Sequence, residues 1–371
     1  MTPAGQTVCL CMIVKNEHHV IARCLESIRP ILDSWLIVDT GSVDGTQEYV
    51  RELFRDLPGE LIERPWVDFA HNRTEALEYA KTRADYLFII DADELLERDR
   101  DFALPALVAD AYDFQLVSGS IVYYKTQLVR SALNWRFEGV VHEHIATDAP
   151  CVRERMAGVH TVRIQDGARA RDPLTYRKDA LLLEGAVLQE PENARHMFYL
   201  AQSYLDAGEL QLAEDRYAKR VAMGGWDEEV WSSLYQVARI KELRKVEWPE
   251  VLAAYLQAFQ YRPARAEALF RIGIYYQARH EYALAYLFFA QGITIPLPVQ
   301  DILFVERSVY DFYLPLEFAV AAFYVGRHDE AVSTCDALLA GGRLTLDQTE
   351  QVVKNRQFSI DALASAPQFA V

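Results

Sequence analysis

Two hydrophobic rhythms divide this chain, and the change from one to the other falls near Arg171. In the first part, short apolar runs of strand character alternate with stretches that repeat apolar residues every three or four positions. Residues 8–14 and 35–39 predict strands, with a helix over 18–29 between them. A Gly-rich turn at 40–45 leads into a helix over 47–54, a short strand near Leu61, a helix over 73–83 and a strand that ends at Asp91. Helices between successive strands imply a mostly parallel sheet, since each crossover returns the chain in the same direction. From 112 to 144 the helical period is absent. There the extended segments 112–117 and 120–129, joined by a tight turn at Ser118-Gly119, predict antiparallel edge or lid strands.

Beyond Arg171 the strand signals nearly vanish, and Ala, Leu and Tyr recur at helical spacing. Phe198, Tyr204, Gly208, Ala213 and Tyr217 follow the logic of a tetratricopeptide (TPR) unit: a helix, a Gly-marked turn, and a second helix whose Ala allows a close crossing. The set Leu269, Tyr275, Ala283, Phe288 and the set Phe318, Phe323, Gly326, Ala331 echo it, and 231–261 does so more weakly. The echoes are unevenly spaced rather than set at a uniform period of about 34, so the array is degenerate. Pro296 and Pro298 mark 293–301 as an interruption. The predicted organisation is an α/β domain with a Rossmann-like sheet over 1–170 and an all-α, TPR-like repeat domain over 171–371.

A chain of 371 residues is long for one core, and 51% apolar content excludes extensive disorder. The formal charge of −16 argues against a broad nucleic-acid face, which needs a positive field. The five cysteines form neither a paired framework nor a metal-type cluster, and Cys9 and Cys11 share one face of a predicted strand. They read as reduced core residues of a cytoplasmic protein. The apolar run 8–14 is too short for a membrane span and has no basic region before it, so neither a signal peptide nor a transmembrane helix is expected.

Candidate chemistry gathers where predicted strands end. The run Tyr86-Leu87-Phe88-Ile89-Ile90 leads directly into Asp91-Ala92-Asp93-Glu94. On extended backbone, residues two apart point the same way, so Asp91 and Asp93 are expected to reach one hard divalent cation that keeps positions open for phosphate oxygens. Asn16-Glu17 follow the first strand, Asp39 closes the second, and Asp44-Gly45-Thr46 open the next helix. In open α/β sheets such strand ends line one ligand crevice. A carboxylate at Asp39 can accept from a ribose hydroxyl or a base N–H, and Gly41 lets the backbone approach a ligand closely. Thr46 is a natural N-cap and Asp44 suits the helix dipole. Asn72 is either a donor-site amide or an N-cap, and Arg73 either a phosphate ligand or a surface partner of Glu75 or Glu78. Neither G-x-G-x-x-G nor a P-loop lysine motif is present.

The segments 11–17 (CMIVKNE), 38–46 (VDTGSVDGT) and 91–94 (DADE) closely resemble family 2 glycosyltransferases in order and spacing as well as composition. Residues 66–77 (WVDFAHNRTEAL) and 139–143 (GVVHE) are similar to the subgroup whose catalytic domain is fused to tetratricopeptide repeats. This resemblance implies a GT-A fold, a nucleotide-sugar donor with a UDP-sugar favoured, inversion at the anomeric carbon, and Mn²⁺ or Mg²⁺ as cofactor. Carried over by position, Asp39 would contact the nucleoside, Asp91 the ribose or metal, and Asp93 the metal. Asn16, Glu17, Gly41, Asp44, Asn72 and Arg73 complete the expected donor site.

An inverting transfer needs a base for the acceptor's proton. If 138–144 is extended, His142 and His144 share one face and Glu143 the other. Glu143 is then the expected base or acceptor-positioning group and His142 a diphosphate or metal ligand, with the two roles exchangeable. The subgroup often has a His-Tyr-Gly-like segment where this chain reads Gly158-Val159-His160-Thr161, so His160 departs from the pattern of a third ligand. Trp66 and Trp135 are each either a sugar-stacking or a core residue.

The expected acceptor is a protein or a cell-envelope glycan recruited by the repeat groove, and an oligomer is compatible with the sequence. Two alternatives stand beside this reading. A catalytically inactive TPR scaffold has no use for converging carboxylates, and a nucleotidyltransferase of nucleotide-sugar synthesis would favour a Gly-rich basic loop after the first strand.

Overall fold

The protein is described by a computed structural model over residues 2–119, 121–141 and 143–365. Its chain packs into two compact units, Met1–Arg216 and Tyr217–Val371.

The first unit opens with β1 (Val8–Val14), α1 (Ile21–Ile28), β2 (Ser34–Asp39), α2 (Thr46–Leu53), β3 (Gly59–Glu63), α3 (Phe69–Ala80) and β4 (Tyr86–Ile89). Then come β5 (Glu94–Arg98), β6 (Ala111–Ser118), β7 (Ile121–Arg130), β8 (Arg136–Glu138), β9 (His144–Ala146) and β10 (Arg153–Arg163), followed by α4 (Thr175–Gln189) and α5 (Ala194–Asp206). The main sheet runs β3-β2-β1-β4-β7-β6-β10-β5, and β8 pairs with β9 apart from it. β3, β2, β1 and β4 are mutually parallel, whereas β7 is antiparallel to both β4 and β6. After β1 the chain builds outward through β2 and β3, then returns to the other side of β1 as β4. That reversal creates a crevice at the carboxyl ends of β1, β2 and β4.

Both faces of the parallel strands are covered, which explains their continuous apolar runs. Val8, Leu10, Met12, Tyr86 and Phe88 pack with Ile21, Leu25 and Ile28 of α1. Cys9, Cys11, Leu36, Val38, Leu87 and Ile89 face the small Ala76 and Ala80 of α3. The cysteines are free thiols, and all but Cys151 are buried.

Three expectations change. β6 and β7 are interior strands rather than edge or lid elements, because β10 and β5 extend the sheet beyond them. β10 escaped detection because its period of two is broken: its register against β6 shifts between Arg155 and His160, with Gly158 at φ +74 in the irregular stretch. α3 begins four residues earlier than its apolar spacing suggests, since Asp68 caps it by accepting from the His71 N–H at 2.7 Å.

The division between the units falls within α6 (Leu210–Met223). The second unit continues with α7 (Asp227–Leu243), α8 (Trp248–Tyr261), α9 (Glu267–Ala278), α10 (Tyr282–Ile293), α11 (Leu314–Tyr324), α12 (His328–Ala340) and α13 (Leu346–Ser365). Trp231, Tyr235 and Tyr255 fill the α7/α8 core, and Phe289 packs on the bare Cα of Gly273 where α9 and α10 cross. The interruption between α10 and α11 is clamped by charge. Arg265, fully buried, pairs with Glu267 and with Asp301 at 3.0 Å and lies 3.7 Å over the Trp231 ring, while Glu228 accepts from the N–H groups of Ile302 and Leu303 at 2.8 Å.

Candidate active site

The carboxyl end of β2 delivers Asp39 into the crevice with only 1% exposure. Its Oδ1 accepts from the N–H groups of Gly41 and Ser42 at 2.9 Å and from Gln47 Nε2 at 3.0 Å. Its Oδ2 is buried without a partner among the described residues. A buried carboxylate oxygen left unpaired is costly, so this atom is set to receive an N–H or O–H from a ligand. The loop after β1 closes the same corner. Asn16, in the left-handed region at φ 58, accepts from the Val43 N–H through Oδ1 and donates its own N–H to Ser42 Oγ at 2.8 Å. Gly41 lies exposed on the 39–42 turn, and Gly45, at φ +86, is the cap residue of α2; Thr46 is its first helical residue, held through Asp44. Asp44 also accepts from the His18 N–H at 3.2 Å, tying the two loops together.

Past β4 the backbone turns at once: the Glu94 N–H donates to the Asp91 carbonyl at 3.0 Å. The extended alternation expected for Asp91 and Asp93 is therefore absent, and the two carboxylates meet different cations. Asp91 is bridged by Arg73 of α3 and by Lys125 of β7, the latter at 2.8 Å. Burial opposes its charge, but Arg73 and Lys125 hold its carboxyl well below the usual range. Lys125 also reaches Glu94 at 3.0 Å, and Glu94, fully buried, accepts from Gln127 Nε2 at 3.0 Å. Asp93 has the looser ion pair, with Arg163 of β10 at 3.6 Å.

The loop after β10 completes the floor. Arg23 of α1 pairs with Asp166, and the Ala168 N–H donates to both Glu17 carboxylate oxygens at 3.2 Å. Gly167 packs closely there: a Cβ would lie 3.3 Å from Asp93 Cβ and 3.4 Å from each Glu17 carboxylate oxygen. Burial, together with the like charges of Asp93, Asp91 and Asp44, pushes the Glu17 carboxyl up to about 7 against the Ala168 hydrogen bond.

Arg73 is a site residue rather than a surface partner of Glu75, which Arg64 takes instead. Its Nε lies 2.6 Å from Glu143, so one guanidinium links Asp91 to the candidate base. Glu143 lies outside any strand. His142 itself lies outside the described residues. Asn72 is neither cap nor ligand: fully buried inside α3, it accepts from the Val67 N–H and donates to the Pro65 carbonyl. His160 pairs across strands with Glu97 at 3.2 Å, away from the carboxylate pair. Trp135 is core, donating to the Arg130 carbonyl, whereas Trp66 is exposed. Sequence reasoning missed Lys125, Arg163 and Gln127. The available signal was Lys125 and Gln127, two polar residues two apart in a strand that also carries Ile121, Tyr123 and Val129 at the same alternation.

Among the described residues no set of three or more His, Cys, Asp or Glu side chains is gathered as a metal site. The donor set still fits a hard cation in part. Asp93 and Glu17 flank the bare Gly167 Cα, and five carboxylates (Glu17, Asp91, Asp93, Glu94, Glu143) face three cations (Arg73, Lys125, Arg163). Magnesium-type sites commonly combine one or two carboxylates with substrate phosphates.

A mixed sheet with parallel strands at its centre and a buried, half-partnered carboxylate at the carboxyl end of β2 define an α/β domain with acidic residues at its strand ends. Residues 9–167 match the family model for Glycosyl transferase family 2. Sequence relatives agree. A TPR repeat-containing protein of Synechococcus elongatus is 26% identical over 74% of this chain and 70% of its own length. The SPbeta prophage-derived glycosyltransferase SunS of Bacillus subtilis is 26% identical over 37% of this chain and 34% of its own. Among solved structures, MamA covers 48% of this chain and 92% of its own at 17% identity, with a TM-score of 0.35. The chain thus carries an amino-terminal domain that matches glycosyltransferases, followed by a helical array, and no described helix is long and apolar enough to cross a membrane.

Proposed function

We propose that this protein is an inverting, metal-dependent glycosyltransferase that moves a sugar from a nucleotide-sugar to a protein or cell-envelope glycan acceptor. The observation that carries this reading is the unpartnered Oδ2 of Asp39, buried in the same crevice as the Asp91-Ala92-Asp93 turn. Asp39 receives the base or ribose of the donor, with the 41–45 loop closing over it. Asp93, with Glu17, holds Mn²⁺ or Mg²⁺, which when bound stabilises the leaving diphosphate as a Lewis acid. Arg73 orients Asp91 and Glu143 together. Glu143 takes the acceptor hydroxyl's proton as the oxygen bonds to the anomeric carbon and the carbon–phosphate oxygen bond breaks, its electron pair leaving on the diphosphate. The helical array recruits the acceptor, as concave repeat surfaces commonly hold extended segments.

A thermal-shift panel of UDP, GDP, dTDP and CMP sugars, with and without Mn²⁺, tests the reading on the wild type and Asp93→Ala. One nucleotide class is expected to raise the melting temperature of the wild type by mass action, and only with metal. The gain should vanish in Asp93→Ala. A stabilisation that persists in that variant removes the metal from the mechanism, and none with any donor favours the inactive scaffold.

A further inference from the structure

Lys125 sits on β7 opposite Phe114 of β6, three residues before Leu128, where the pairing of β7 with β4 begins, so its position is set by the sheet rather than by a loop. An ammonium has three N–H donors. Two are accounted for, at 2.8 Å to Asp91 Oδ2 and 3.0 Å to Glu94 Oε1. Glu94 is satisfied from behind: Gln127 donates to its other oxygen, and Thr161 in turn donates to Gln127 Oε1 at 3.0 Å. The Lys125 side chain is 26% exposed while Glu94 is sealed, so Lys125 is the more accessible member of this chain of bonds. A buried ion pair contributes little net stability compared with an apolar replacement. Such a pair placed against the acidic turn of a transferase therefore calls for a role beyond packing.

We propose that Lys125 is a donor-binding residue that reaches the diphosphate of the nucleotide-sugar with its remaining N–H, and that Glu94 is the positioning carboxylate that holds it there. The inference rests on the nucleotide-sugar reading above. Lysine binds phosphate as a point charge, and negative charge grows on the diphosphate as the bond to the anomeric carbon breaks. Lys125 meets that charge without transferring a proton.

Calorimetric titration of the full chain in the presence of Mn²⁺ with UDP, GDP and dTDP, and with the matching nucleosides, tests this in the wild type and the double variant Lys125→Met/Glu94→Gln. The double variant removes both charges together, so no buried carboxylate is left unpaired. It is expected to bind the preferred diphosphate about ten- to a hundredfold more weakly, the scale of one charge-assisted hydrogen bond, with nucleoside affinity unchanged. Equal weakening of both ligand types, or of neither, overturns the proposal. Lys125→Arg supplies a second readout. It keeps the charge and should retain most of the preference for diphosphate over nucleoside, and a loss as large as that of the double variant also overturns the proposal. Wild type that binds none of the three diphosphates overturns the nucleotide-sugar reading, and this inference with it, whereas diphosphate binding left intact in the double variant overturns the inference alone.

Discussion

At Asp39 one oxygen builds the loop and the other awaits a ligand. The substitution Asp39→Asn separates these roles. The amide oxygen can still accept from Gly41 and Ser42, while the position of Oδ2 becomes a donor facing a donor. Nucleoside affinity should fall about tenfold in calorimetry with a small change in melting temperature. Arg73 is different, because its guanidinium is the shared partner of two carboxylates and its side chain is 11% exposed. Arg73→Met leaves Glu143 without its counter-ion and should cost about 3 kcal/mol in denaturant unfolding, together with most of the turnover.

Among the elements, helix crossings set the tolerance of the array. A Cβ on Gly273 would lie 2.3 Å from Phe289 ring carbons, so Gly273→Ala should destabilise the second unit by about 1–3 kcal/mol despite the higher helix propensity of alanine. Thermal unfolding of the isolated 217–371 fragment measures this. The interruption between α10 and α11 depends instead on Glu228. Glu228→Ala leaves the buried Leu303 N–H and its neighbour Ile302 without an acceptor, and amide exchange at both should rise well above that of flanking helices. In the sheet, β10 shows how a bulge hides a strand. Its alternation fails at the irregular stretch that contains Gly158, although both of its ends pair.

For the whole molecule, the change of secondary structure and the change of packing come at different points. The last sheet strand ends at Arg163 and α4 begins at Thr175, yet the first compact unit extends to Arg216. The reason is visible in Arg169, which pairs with Asp179 of α4 at 2.6 Å and lies 4.6 Å over the Phe69 ring. A 1–216 fragment should therefore melt cooperatively and keep any donor-induced stabilisation. A 1–171 fragment loses the α4 contact and should melt at a lower temperature, as differential scanning calorimetry would show.

The local order of strands and helices was legible because apolar runs and caps act over a few residues. β1 matches its expected bounds, and Asp39, Glu17 and Asp93 stand where strand ends were read. The sequence by itself determined which residues lie at the carboxyl ends of the sheet and that the second half is helical. It could not determine their partners. That Asp91 belongs to Arg73 and Lys125, that Asn72 braces a loop, and that Gly167 presses against Asp93 and Glu17 depend on segments far apart in the chain. Ion pairing and desolvation are set by distance in space, and only the folded sheet fixes that distance.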